Sequence, residues 1–136
     1  MEEYLETIYR VELDGDVAKT GEIAHHLGVT PQTVTDMLQK LEKAELVEYE
    51  PYKGVNLTPA GRAIARRQLE RHRVMQAFLQ EVCGMPHRAA HDAACDMEHS
   101  IPDALDAWLR DYLEDRLGRP FDTSVRVKDQ IDSTQA

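Results

Sequence analysis

The chain has 136 residues, of which 42% are hydrophobic, and its formal net charge is −9 at pH 7. This length suits one ordinary domain or two small ones that share a core. No stretch approaches the roughly 20 apolar residues that span a bilayer, and the two cysteines, Cys83 and Cys95, form no CxxC pair. The first residues lack the basic and apolar segments of a signal peptide. These features exclude a transmembrane helix and favour a reducing cytoplasm.

The acidic charge argues against nucleic acid, because contacts of Lys and Arg with phosphates supply most non-specific affinity. The basic residues are concentrated, however: residues 61–80 hold five of them against one acidic residue. These arginines follow helical spacing, and with three lysines they form a candidate positive face: Arg62, Arg66, Arg67, Arg71, Arg73, Lys40, Lys43 and Lys53. The spacing is equally typical of a solvated helix face with i,i+4 partners. Both interpretations stay open.

The first half of the chain predicts a winged helix. Apolar periodicity and capping residues predict helices over residues 2–13, 20–28 and 30–44, the last opened by the cap-and-proline pair Thr30-Pro31. A short helix, a tight glycine turn and a third helix with small polar residues near its start are typical of a helix-turn-helix. Residues 46–57 alternate around a Pro and Gly turn, which predicts a hairpin.

The second half predicts three more helices. A long fourth helix covers residues 58–84, a fifth runs from Pro86 to about His99, and a sixth covers residues 101–117. Residues 119–136 contain few apolar side chains, so we expect a loosely ordered polar tail.

Four side chains that can bind metal lie in the predicted fifth helix. His91, Cys95, Glu98 and His99 fall at i, i+4, i+7 and i+8 and therefore on one face. Imidazole, thiolate and carboxylate groups within two turns suit a transition metal such as Fe, Mn, Co or Zn. The same spacing fits a half-buried face on which Cys95 acts as a small apolar residue and the histidines pair with acids.

Two further groups are unremarkable alone. His72 lies in the apolar stretch of the fourth helix with Gln76 one turn later, and Glu3 and Glu6 share a face of the first helix. A lone helical histidine is more often structural, and a glutamate pair near a helix N-terminus more often faces solvent or complements the helix dipole.

Five motifs occur in order along residues 1–117. They are residues 1–9, Val34–Met37 with Gln39–Leu41, Tyr52–Thr58, Arg71–Arg73 and Cys95–His99. Through them the chain closely resembles the diphtheria toxin repressor and manganese transport regulator family of metal-dependent transcriptional repressors. The resemblance implies a mainly α fold: a winged helix-turn-helix DNA-binding domain with a two-stranded wing over residues 1–70, then a helical dimerisation and metal-binding domain over residues 71–136. It also implies the two-domain form, without the SH3-like domain of the iron branch.

The resemblance also implies the metal ligands. In the family, the position of Glu3 joins those of Cys95, Glu98 and His99 in one site, and the positions of His72 and His91 belong to a neighbouring site. Glu6 matches a ligand of the manganese-selective branch. The expected metal-site residues are therefore Glu3, Glu6, His72, His91, Cys95, Glu98 and His99.

The chain departs from both known branches. Glu3 stands where the iron branch has methionine and the manganese branch aspartate, Cys95 matches the iron branch, and Gln76 replaces an expected acidic ligand. Carboxylates favour Mn(II), whereas a thiolate favours Fe(II), Co(II) or Zn(II). We expect Mn(II) or Fe(II) as the sensed ion, with a slight preference for manganese, while Co(II) or Zn(II) could bind in vitro.

The resemblance places DNA contacts in the third helix and the wing. Gln32 can read adenine, and Asp36 can accept a hydrogen bond from cytosine. Lys40 and the wing residues Tyr52 and Lys53 would position the protein on phosphates. The full set of candidates is Thr30, Gln32, Thr33, Thr35, Asp36, Lys40, Tyr52 and Lys53. An exposed polar helix face is the alternative.

A mechanism follows from these assignments. Metal bound by ligands from both domains would fasten the winged helix to the dimer core. It would thereby favour a distance of about one DNA turn between the two recognition helices, which a palindromic operator requires. Trp108, Leu109, Tyr112 and Leu113 are candidates for the homodimer interface, although core packing explains them nearly as well.

We therefore expect a cytoplasmic, homodimeric, metal-dependent DNA-binding repressor that controls metal-homeostasis genes, binds double-stranded DNA and no membrane, and is not an enzyme. The main alternative is a winged-helix transcription factor that senses an organic ligand or binds DNA without metal, which leaves the cluster around Cys95 without a role. A zinc hydrolase would need an open coordination position and a general base, and the sequence has no HExxH motif.

Overall fold

The computed structural model describes residues 1–130. They form two compact units, one spanning Met1–Arg67 and one that begins at Gln68. No helix within these 130 residues has the length and apolar character to cross a bilayer.

Three helices open the first unit: α1 at Glu2–Leu13, α2 at Thr20–Leu27 and α3 at Pro31–Lys43. Gly28 ends α2 with φ of 67°, a left-handed conformation that glycine adopts without steric cost. Thr30 caps α3, because its hydroxyl oxygen accepts the backbone N–H of Thr33 at 3.2 Å. The tight connection between α2 and α3 is the predicted helix-turn-helix.

An antiparallel hairpin follows, with β1 at Val47–Glu50 and β2 at Gly54–Leu57. Gly54 has φ of 109°, and a Cβ there would lie 2.7 Å from the carbonyl oxygen of Ala18. Only glycine fits this conformation and this space. The close approach lets the backbone N–H of Val55 donate to the same oxygen at 2.9 Å, so the wing is anchored just before α2.

Helix α4 spans Pro59–Glu81 and contributes to both units. It starts close to the hairpin because Gly61 has no side chain: a Cβ there would lie 2.0 Å from the carbonyl oxygen of Leu46. The core of the first unit consists of Tyr4, Leu5, Ile8, Ala18, Ile23, Ala24, Val34, Leu38, Leu41, Val47, Val55, Leu57 and Ala65. Each large aliphatic side chain buried there stabilises the unit by about 1.5–3 kcal/mol.

The second unit combines the later part of α4 with α5 at His87–Met97, a 3₁₀ turn at Glu98–Ser100 and α6 at Asp103–Leu117. Its buried apolar residues form two small clusters: Val74, Ala77, Leu113, Phe121 and Val127 in one, and Met75, Ala94 and Ile101 in the other. A winged helix-turn-helix followed by a helical unit confirms the predicted fold class.

The prediction of a loosely ordered tail over residues 119–136 is wrong as far as residue 130. Phe121 and Val127 are buried in the second unit, and the buried side-chain amide of Gln130 donates to two backbone carbonyls. Two apolar anchors six positions apart, among polar residues, give no helical or strand period, so the sequence pattern misses them. Residues 131–136 lie outside the described residues.

Candidate metal centre and DNA-binding surface

His72 lies at the centre of a polar cluster in the second unit. Helix α4 directs it inward, and its side chain is buried. Its Nδ1 is 2.8 Å from Oε2 of Glu98, and its Nε2 is 3.1 Å from both Nδ1 of His91 and Oε1 of Gln76. Both ring nitrogens are therefore engaged, each on a different side of the ring.

Helix α5 supplies the thiol of this cluster. His91 and Cys95 are four residues apart, so they share a face of the helix, and the Sγ of Cys95 lies 3.6 Å from Nε2 of His91 and 3.8 Å from Nδ1 of His72. One ligand atom from each of these three residues lies within 4.8 Å of the other two. Donors held 2.0–2.3 Å from a tetrahedral metal ion lie roughly 3.3–3.8 Å apart. The sulfur-to-nitrogen distances match that spacing, so the cluster can hold a divalent cation.

Glu98 and His99 are not on helix α5, which corrects the prediction of four ligands on one helical face. The α-helix ends at Met97, and both residues belong to the following 3₁₀ turn. Pro102 explains the early end, because a residue before proline avoids the α region and Ile101 is extended, with φ of −87° and ψ of 118°. The tighter turn buries the carboxylate of Glu98 against His72, and Nε2 of His99 lies 3.4 Å from Oε1 of Glu98.

The sequence analysis missed two neighbours of this cluster, Gln80 and His87, which both contact Gln76. The side-chain nitrogen of Gln76 is 3.1 Å from Oε1 of Gln80 and 3.3 Å from Nδ1 of His87. His87 lies four residues before His91, and this i,i+4 histidine pair was the signal that could have revealed it.

The two predicted acidic ligands of the first unit lie on α1. Glu6 is buried and accepts a hydrogen bond from Arg10 at 2.7 Å, an i,i+4 ion pair. The backbone carbonyl of Glu3 accepts the hydroxyl of Thr7 at 2.8 Å, while the Glu3 side chain is exposed. Their roles as metal ligands stay predictions.

The predicted recognition helix α3 presents a polar face. Gln32 and Asp36 are exposed and hydrogen-bond each other at 3.0 Å, and Lys40 is exposed one turn later. Two of the predicted contact residues also serve the helix itself, because the hydroxyl of Thr30 caps it and the hydroxyl of Thr35 donates to the carbonyl of Pro31. The hydroxyl of Thr33 is also 2.8 Å from that of Thr30.

The tip of the wing is similarly accessible. Tyr52 is fully exposed and has φ of 68°, a conformation that costs a non-glycine residue on the order of 1–3 kcal/mol. Lys53 is exposed and lies 3.5 Å from Glu50. The roles of Tyr52 and Lys53 as DNA contacts stay predictions.

Three arginines of the run have partners within their own unit. Arg62 pairs with Glu12 at 2.9 Å within the first unit. In the second unit, Arg71 donates to the carbonyl of Ile101 and pairs with Asp103, and Arg73 donates to the carbonyl of Thr123. The partners are distant in sequence rather than one turn away, so the i,i+4 interpretation fails for these three residues.

Two family models match this arrangement of units. The N-terminal DNA-binding domain of the iron dependent repressor family matches residues 1–55, and the metal-binding and dimerisation domain of the same family matches residues 58–121. The chain belongs to the iron dependent repressor family. The predicted resemblance is confirmed, and with it the class of function: a DNA-binding, metal-binding and dimerising transcriptional repressor.

Three similar proteins are named as transcriptional regulators or repressors. An HTH-type transcriptional regulator of Methanocaldococcus jannaschii is 36% identical over 84% of this chain and 92% of its own length. The HTH-type transcriptional regulator MntR of Listeria monocytogenes is 40% identical over 74% of this chain and 70% of its own. The diphtheria toxin repressor of Corynebacterium efficiens is 32% identical over 91% of this chain but only 54% of its own.

Solved structures share the fold. The manganese regulator SloR superposes with a TM-score of 0.73 at 26% identity, over 83% of this chain and 53% of the SloR chain. The chain thus spans about half the length of SloR and of the diphtheria toxin repressor, and nearly all of the M. jannaschii regulator.

Proposed function

We propose that this iron dependent repressor family member binds operator DNA as a homodimer when Mn(II) or Fe(II) occupies its second unit, and so controls metal-homeostasis genes. The observation that carries the proposal is the convergence of His72, Cys95 and Glu98 from three separate elements of that unit. The ligand atoms of His72, His91 and Cys95 lie within 4.8 Å of one another, and the carboxylate of Glu98 lies 2.8 Å from His72.

The donor atoms of Glu98 and Cys95 favour different metals. Glu98 offers hard oxygen donors, whereas Cys95 offers a soft sulfur donor that favours Fe(II), Co(II) or Zn(II). SloR is named as a manganese regulator, and MntR and the diphtheria toxin repressor represent the two branches that the sequence resembles. A bound metal ion would supply a positive charge beside the buried carboxylate of Glu98.

The proposed metal site comprises residues that bind the ion directly and residues that hold those ligands in place. Its members are Glu3, Glu6, His72, His91, Cys95, Glu98 and His99. Glu3 and Glu6 are included because of the family resemblance alone. The proposed DNA surface comprises Thr30, Gln32, Thr33, Thr35, Asp36, Lys40, Tyr52 and Lys53, which lie on α3, at its cap and at the wing tip.

The deciding experiment is operator binding by the full chain without metal and with Mn(II), anaerobic Fe(II), Co(II) or Zn(II). We expect metal to raise operator affinity about tenfold or more, which corresponds to about 1.4 kcal/mol. His99→Ala should abolish that gain, and Asp96→Ala, an exposed neighbour on α5, should retain it.

Equal operator binding with and without metal would instead support a winged-helix factor that acts without metal or senses an organic ligand. The family's named members are regulators of transcription, and we propose that this chain acts by binding rather than by catalysis, in the cytoplasm. Turnover of an ester or peptide by the metal-loaded chain would contradict that part of the proposal.

A further inference from the structure

We propose that Gln76 is a positioning residue that selects which nitrogen of His72 faces the metal. This inference rests on the proposed metal site and adds to it a residue that carries no charge and no strong ligand atom. Gln76 is buried on α4, one turn after His72.

The direction of the hydrogen bonds around Gln76 is the first step of the argument. Its side-chain nitrogen faces two acceptors, Oε1 of Gln80 at 3.1 Å and Nδ1 of His87 at 3.3 Å. An amide nitrogen has two hydrogens and can only donate, so both hydrogens are used. This arrangement turns Oε1 of Gln76 toward His72.

The orientation of Gln76 then fixes the tautomer of His72. An amide oxygen can only accept, so Nε2 of His72, 3.1 Å away, carries the hydrogen. Nδ1 of His91, at 3.1 Å, is a second acceptor for the same N–H. Nδ1, on the other side of the ring, is therefore the nitrogen of His72 that would bind an ion.

That nitrogen points to the thiol and the carboxylate. It lies 2.8 Å from Oε2 of Glu98 and 3.8 Å from Sγ of Cys95. At 2.8 Å the nitrogen and the carboxylate oxygen are at hydrogen-bond distance, so a proton lies between them, and a bound ion would replace that proton. Sγ of Cys95 also lies 3.6 Å from Nε2 of His91.

Orienting partners of this kind matter for affinity. A metal-bound histidine donates its other N–H to an acceptor, and removing that acceptor costs about 10- to 100-fold in metal affinity. We expect Gln76→Leu, which removes the acceptor at similar volume, to weaken Zn(II) binding by that factor. Gln76→Glu keeps an acceptor oxygen and should bind Zn(II) at least as tightly as the wild type.

Gln68 provides a matched control. It is also buried on α4, and its Oε1 has no hydrogen-bond partner within residues 1–130. Gln68→Leu therefore makes the same change of side chain without removing an acceptor from a histidine. We expect the Zn(II) affinity of Gln68→Leu to stay within about threefold of the wild type, whereas Gln76→Leu should lose about 10- to 100-fold. Competition with a chromophoric chelator measures both.

The tautomer itself is the second readout, and it needs no variant. Long-range proton–nitrogen NMR of the Zn(II)-loaded full chain, labelled with ¹⁵N-histidine, should show His72 bound through Nδ1 with its hydrogen on Nε2. Zn(II) bound through Nε2 of His72, or a Gln76→Leu protein with wild-type affinity, overturns the inference but leaves the proposed function standing. A wild-type chain that binds no Zn(II) overturns the inference, and operator binding that ignores metal overturns the proposed function.

Discussion

Oε2 of Glu98 lies 2.8 Å from Nδ1 of His72, and both side chains are buried although the residues are 26 positions apart in the chain. Burying a carboxylate costs several kcal/mol unless a positive group or hydrogen-bond donors compensate for the lost water. A proton shared between the two atoms compensates the buried carboxylate, and a metal ion that binds the pair would replace that proton.

Glu98→Gln should reduce the free energy of Mn(II) binding more than it reduces the free energy of unfolding. Glutamine keeps an oxygen that can accept from His72 but removes the negative charge that attracts the ion. We expect Mn(II) affinity to fall by at least about tenfold, or about 1.4 kcal/mol, in isothermal titration calorimetry. Asp96→Asn removes an exposed carboxylate two residues away and should leave affinity unchanged. An equal loss in both variants would mean that only the overall charge matters.

Cys95→Ser should remove the sulfur signature of the Co(II) complex. If the thiolate binds the ion, the Co(II)-loaded wild type has a sulfur-to-cobalt charge-transfer band in the near ultraviolet, which a serine hydroxyl cannot give. Cys83 is the matched control, since both cysteines are exposed and free of disulfides. Cys83→Ser should keep the band, and persistence of the band in Cys95→Ser would exclude Cys95 as a ligand.

Thr30→Ala should destabilise the first unit by about 1 kcal/mol, since it removes the N-cap of α3. The sequence analysis predicted Thr30 both as this cap and as a DNA contact, and its hydroxyl accepts the backbone N–H of Thr33. Thr30→Ser retains a capping oxygen and should restore most of the stability. Urea denaturation of the metal-free chain measures the difference, and an unchanged midpoint in Thr30→Ala would argue against the cap.

The winged helix was predictable because its signals are local. Thr30-Pro31 marks the start of α3, a glycine ends α2, and the hairpin alternates as strands do. The geometry of the metal cluster was not predictable to the same degree. Helical spacing placed Glu98 and His99 on the face of His91. Because Pro102 follows, α5 ends at Met97, and both residues lie in the 3₁₀ turn after it.

Tertiary hydrogen bonds also lie beyond a local pattern. The contacts of Gln76 with His87, and of Arg73 with the carbonyl of Thr123, join residues that share no common helical period. A buried glutamine or arginine has the same appearance in a sequence as an exposed one. Only the folded chain decides which of them bind a neighbour, and this is why the arginine run was read as a surface feature.

Trp108→Ser should weaken homodimerisation. Helix α6 exposes three large apolar side chains at helical spacing, Leu105, Trp108 and Tyr112, while Leu113 is buried in the core. The family's second domain is a dimerisation domain, and exposed aromatic residues are frequent energetic centres of interfaces. We expect a loss of about 2 kcal/mol or more, roughly 30-fold in the dimer dissociation constant, by sedimentation equilibrium. Tyr52→Ser, which removes a fully exposed aromatic from the wing, should leave that constant unchanged, and an unaltered dimer in Trp108→Ser would place the interface elsewhere.

Lys53→Ala should weaken operator binding without changing which sequence is preferred. Lys53 is exposed at the wing tip, where its ammonium group can neutralise a phosphate but read no base. Loss of one phosphate contact reduces the slope of log affinity against log salt by about 0.9 and lowers affinity for specific and non-specific DNA alike. Lys128→Ala removes another exposed lysine, from the second unit, and should keep the wild-type slope, because that residue lies outside the proposed DNA surface. Equal salt slopes for wild type and Lys53→Ala would remove the wing lysine from the phosphate contacts and leave Lys40 on α3 as the remaining proposed lysine contact.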